Sequence, residues 1–100
     1  MMILIEYEPH FWELYQNNGH YYLSIAVDMS SVVSCWDLTL SELEASHYQA
    51  NGRISIEVLA KKIVNAAYKG DFSIMQTHVA AAEDKQAMHT TYQAWRANQT

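Results

Sequence analysis

The side chains that could do chemistry in this chain are five histidines, one cysteine and a set of carboxylates. His10, His20, His47, His78 and His89 are spread along the whole length, and no two form a His-x-x-x-His pair. Metal ions need ligands that converge at helix-turn or hairpin spacing, so these histidines predict ordinary polar residues and no metal site. Cys35 sits between Ser34 and Trp36 in a strand-like run, with no cation beside it in sequence to stabilise a thiolate. It reads as an inert thiol unless a distant histidine meets it in space. Glu6 with Glu8, or Asp28 with Asp37, could be paired carboxylates, but general acid–base work needs a cleft that tunes their protonation. Solvated acids on an exposed strand face account for them as well. With glycine only at 19, 52 and 70, neither a phosphate-binding loop nor a dinucleotide fingerprint can be written. Lys61–Lys62 is too short for a basic patch. No catalytic residue, metal or cofactor is expected.

The elements available to position these groups are strands first and helices after. Ile3, Ile5 and Tyr7 alternate with Leu4, Glu6 and Glu8, a period of two that ends at Pro9. Residues 11–15 and 21–27 flank Asn17-Asn18-Gly19, a hairpin signal. Ser30-Ser31 breaks the pattern and Val32 to Leu40 resumes it. Ser41-Glu42-Leu43-Glu44 has the form of a capping box, and the helix it opens stops at Asn51-Gly52. Ser55 is placed to cap a second helix on which Ile56, Leu59, Ile63 and Ala67 share one side, with Gly70 ending it. Met88, Tyr92 and Trp95 form a third helical stripe, with Glu83 and Asp84 early and Arg96 late, as the helix dipole favours. Ser73-Ile74-Met75-Gln76 offers an earlier start for that helix.

The expected fold is therefore α+β in a single domain. A three- to four-stranded antiparallel meander over about residues 2–40 precedes two to three helices at about 42–50, 55–69 and 80–97, all packed on one face. Alternation then turns Glu13, Tyr15, Tyr22, Ser24, Asp28, Cys35, Asp37 and Thr39 to the open face, an assignment that a one-residue register slip would invert.

Composition narrows the function. Half the residues are apolar and 17% are charged, a globular balance, and 100 residues can bury about two-thirds of the unfolded surface. No apolar run approaches a membrane span, no basic segment precedes the apolar start, and a single cysteine suits a reducing compartment. A cytoplasmic location is expected. The net charge of −5 is unevenly distributed: residues 1–52 hold seven acids and no Lys or Arg. A cation-free half-chain argues against direct nucleic-acid or anionic-membrane binding, because phosphates are neutralised by Lys and Arg. It suits a basic partner, although acids also serve simply to keep a small domain soluble. Eight of the twelve aromatic residues lie in the same stretch, where strands favour them anyway. Those facing outward beside acids would make a contact surface, so the candidate partner-binding residues are Glu13, Tyr15, Tyr22, Asp28, Asp37, Glu42 and Glu44.

Several stretches also resemble the small toxin-immunity proteins of bacteria, including those of contact-dependent growth inhibition. They are Trp12-Glu13-Leu14-Tyr15, Gly19-His20-Tyr21-Tyr22-Leu23 and Trp36-Asp37-Leu38-Thr39-Leu40-Ser41, then Tyr48-x-x-x-Gly52, the helix with Leu59, Ala60 and Ile63, and Ala94-Trp95-Arg96. The resemblance implies a non-enzymatic cytosolic protein that binds and neutralises one cognate toxin, often by covering its active site. It transfers no binding residues, since such interfaces differ from pair to pair. With the charge pattern, it gives the expectation of an inhibitor of a basic toxin such as a nuclease. Two other readings stand beside it: a self-associating structural domain forming a homodimer, and a small enzyme or ligand-binding domain with a site near Cys35.

Overall fold

The computed structural model describes residues 1–28 and 32–99. Four strands come first: β1 (Ile3–Glu8), β2 (Trp12–Asn17), β3 (His20–Asp28) and β4 (Val33–Thr39). They form one antiparallel sheet in the order β1-β2-β3-β4. The helices follow as α1 (Glu42–Asn51), α2 (Arg53–Tyr68), α3 (Ser73–Thr77) and α4 (Ala82–Ala97). The meander-then-helices order is the one the periodicities predict. No helix among the described residues is long and apolar enough to cross a membrane. The Ser30–Ser31 break lies outside the described residues.

Local chemistry explains most boundaries. Asn18 and Gly19 both take positive φ (52° and 80°) between the paired residues Asn17 and His20, the two-residue hairpin geometry whose twist matches the strands. Ser41 and Glu44 form the predicted capping box: the Glu44 N–H donates to Ser41 Oγ at 3.2 Å and the Ser41 N–H to Glu44 Oε1 at 2.8 Å. Gly52, at φ 69°, is at once the end of α1 and the cap of α2. Helix α2 therefore starts two residues before the position a Ser55 cap predicts. The Ser55 hydroxyl instead donates to the Gly52 carbonyl (2.9 Å) inside the first turn. Ser73 opens neither a capping box nor α4. Its N–H and hydroxyl donate to the Asp71 carboxylate (3.0 and 2.6 Å), and the short α3 it begins serves to bury Met75.

Two departures from simple alternation set up everything that follows. The first is a bulge in β1, where Leu4 pairs with Tyr15 but Glu6 pairs with Leu14, leaving Ile5 as the extra residue. It turns Glu6 and Glu8 towards the helices, where Glu6 accepts a hydrogen bond from the Tyr48 hydroxyl and Glu8 meets Arg53 at 2.7 Å. Tyr7 goes to the opposite face and packs edge-on to Trp95, ring centroids 4.9 Å apart.

The second departure concerns α4. Trp12, Leu14, Leu23, Ile25 and Val27 bury one sheet face against Ile56, Ala60, Ile63 and Ala67 of α2 and against Met75. Tyr15 and Tyr22, of opposite parity, pack instead with Met2, Ala80 and Met88. The helices thus flank both faces, which corrects the expected one-sided arrangement. The chain reaches the second face by running along the edge of β4: the Thr39 N–H donates to the His78 carbonyl (2.8 Å) and the Ala80 N–H to the Asp37 carbonyl (2.9 Å). Those bonds carry residues 78–80 past the sheet and deliver α4 behind it.

Candidate functional site

Three adjacent strands place Glu13, Ser24 and Asp37 in one row, because Glu13 pairs with Ser24 and Ser24 with Asp37. All three project to the α4 side. Tyr15, two residues along β2 from Glu13, shares that face, and Met88, His89 and Tyr92 of α4 close the remaining side. Together they line a small solvent-open cavity of about 110 Å³.

The electrostatics of this cavity are unusual for so small a domain. Partial burial raises the Glu13 pKa above the ordinary carboxylate value, and the nearby Asp37 raises it further. The Tyr15 hydroxyl is raised well above the tyrosine range, first by burial and then by Glu13, Asp37 and Tyr92. Tyr15 and those three residues are all walls of the same cavity. Tyr15 is 1% exposed. Its hydroxyl has no hydrogen-bond partner among the described residues. Lys85 borders a neighbouring depression with Cys35 and Asp37, and Arg96 stands one helical turn beyond Tyr92. Among the described residues, neither these cations nor His89 lies within ion-pair distance of Glu13 or Asp37.

Comparison with protein-family models, curated proteins and solved structures found no match.

The seven candidate contact residues do not form one surface. Glu13, Tyr15 and Asp37 meet at the cavity. Tyr22 pairs with Tyr15 but lies beneath α4, 6% exposed, with its pKa raised by burial and by Asp84, whose carboxylate accepts its hydrogen bond. Tyr15 and Tyr22 are therefore interior rather than outward, because α4 covers the face that alternation left open. Asp28 is at the exposed far end of β3, opposite Val33. Glu42 and Glu44 are on α1 at the other end of β4. There Glu44 is occupied by the capping box and by His78, 3.8 Å away.

The other chemical candidates stay apart. Cys35 is exposed, and the depression it lines contains no histidine. No group of three His, Cys, Asp or Glu among the described residues could hold a metal. The carboxylate pairs suggested by sequence separation are dispersed: Glu6 and Glu8 face α1 and α2, while Asp28 and Asp37 lie on different strands at different levels of the sheet. The pair the fold does assemble, Glu13 with Asp37, lies 24 residues apart in sequence, and no local pattern announces it. A second unpredicted feature is an apolar strip on the outer side of α1 and α2, where Leu43, Ile54 and Val58 are exposed around a groove reaching His47 and Lys62.

Proposed function

We propose that this chain is a non-catalytic, cytoplasmic protein-binding inhibitor of the immunity type, which neutralises a basic cognate toxin by direct contact. The observation that carries the reading is the Glu13–Asp37 pair beside a solvent-open cavity, left without an ion-pair partner among the described residues. Holding two like charges near each other, one of them partly desolvated, costs the free domain stability. A cation from a partner relieves that cost on docking, and the cation-free sequence around the pair steers such a partner in. The cavity is also well below the roughly 300 Å³ at which ligand pockets begin, which favours a side-chain receptor over a coenzyme site. Together with the resemblance in sequence, this favours recognition over catalysis.

The test is capture from native host lysate with the tagged wild-type chain and with the E13Q/D37N variant, eluted by rising salt. The captured protein is then expressed alone, and with the chain, in a growth assay. A basic protein that depends on Glu13 and Asp37 for retention, arrests growth alone and is silenced by co-expression supports the inhibitor. A captured protein that is harmless when expressed alone sinks it.

One observation favours a second reading, self-association: the exposed Leu43, Ile54 and Val58 strip on α1 and α2. Sedimentation equilibrium of the wild type and of V58E separates the two, since a dimer through that strip dissociates in the variant and an inhibitor remains unaffected.

A further inference from the structure

We infer that the row Glu13–Ser24–Asp37, together with the Tyr15 hydroxyl, is a receptor for a guanidinium group, and that an arginine side chain of the protein partner fills it. The inference rests on the partner-binding reading above and specifies its chemistry.

Two strand spacings of about 4.8 Å put the Glu13 and Asp37 backbones about 9.6 Å apart on one face, with Ser24 between them. Side chains leaning in from both ends leave room for one flat group that bonds to a carboxylate on either side through charge-assisted hydrogen bonds of about 2.8 Å. A guanidinium has five N–H donors fixed in one plane and is weakly hydrated, so it can serve both carboxylates and the Tyr15 oxygen at once. A lysine ammonium is a compact, strongly hydrated point charge and leaves one end of the row unserved. Met88 and Tyr92 add an apolar wall suited to the flat faces of the group. The cavity, about 110 Å³, is of a size to take such a head group. The Tyr15 side chain is buried but its hydroxyl borders the open cavity, so its oxygen and the two carboxylates together offer acceptors to an incoming donor. Lys85, His89 and Arg96 stand around the rim without supplying them.

The test titrates the isotope-labelled chain with N-acetyl-arginine amide, its lysine and citrulline counterparts, and free arginine, following backbone amides by NMR. Saturable shifts at Ser24 and at residues 88–92 are expected for the arginine amide. They should be at least fivefold weaker for the lysine amide, absent for the uncharged citrulline amide, and at least tenfold weaker in E13Q/D37N. The citrulline arm uses the wild-type chain, so the outcome does not hang on the folding of the variant. No saturable shift, or an equal response to citrulline, overturns the receptor. Free arginine binding tenfold tighter than the blocked amide overturns the partner side chain as its source, since a receptor for a chain residue gains nothing from a free carboxylate. A toxin captured equally well by E13Q/D37N removes the arginine receptor from the interface while leaving the inhibitor reading intact.

Discussion

Replacing Met88 with alanine tests the placement of α4, on which the cavity depends. Met88 is the fully buried side chain of this helix, 2% exposed, and it packs with Tyr15 and Tyr22. Truncation removes three heavy atoms, a transfer loss of about 2 kcal/mol. A residual void of about 40 Å³ adds about 1 kcal/mol at roughly 24 cal/mol per Å³. The expected loss is about 3 kcal/mol, a large share of the roughly 5–15 kcal/mol a domain of this kind possesses. Val58, 63% exposed on the outer side of α2, provides the contrast: Val58→Ala should change stability by less than about 0.5 kcal/mol. Urea unfolding followed by circular dichroism measures both, with tryptophan fluorescence as a second probe, since Trp95 lies on α4 against Tyr7. The midpoint should fall for M88A with little change in slope. A loss below about 1 kcal/mol, or one equal to that of V58A, would refute the docking of α4 on the Tyr15–Tyr22 face.

Two further perturbations follow from the same geometry. Because the folded-state pKa of Glu13 is raised above its ordinary value of 4.5, the folded chain holds that proton more tightly than the unfolded chain. Stability therefore falls as pH rises through the interval between the two values. Glu13→Gln should stabilise the domain at pH 7, by under about 1 kcal/mol given partial solvent screening, and the gain should vanish below the ordinary carboxylate range. Paired urea titrations across that range check it, and a destabilised E13Q at neutral pH would contradict the unfavourable placement of the charge. Gly52 has φ 69° and ψ −150°, a conformation that L side chains rarely adopt, yet a Cβ there would meet nothing within 4 Å. Gly52→Ala should thus cost about 1–3 kcal/mol through the backbone alone, read as a lower thermal midpoint. An unchanged midpoint would mean that the α1–α2 junction relaxes freely.

The features legible before folding are those whose chemistry closes within a few residues. The Asn18-Gly19 turn, the Ser41–Glu44 capping box and the stop at Gly52 each depend on one backbone conformation or one short hydrogen bond, so residue type and spacing suffice. The period-two runs likewise gave the parity of each strand, and the shared face of Glu13, Ser24 and Asp37 was legible from alternation. Parity does not say which face is covered. Tyr15 and Tyr22 suit an interior as well as an interface, and the stripe of Met88, Tyr92 and Trp95 fits either side of a sheet. The choice was made by the hydrogen bonds of residues 78–80 along the β4 edge, which bring α4 behind the sheet. One extra residue in β1 reversed Glu6 and Glu8 in the same way, since a side-chain period of two turns a single bulge into a change of face. The proximity of Glu13 to Asp37 has the same origin. It exists because two hairpins bring three strands side by side, and only the closed sheet turns 24 residues of separation into neighbouring charges.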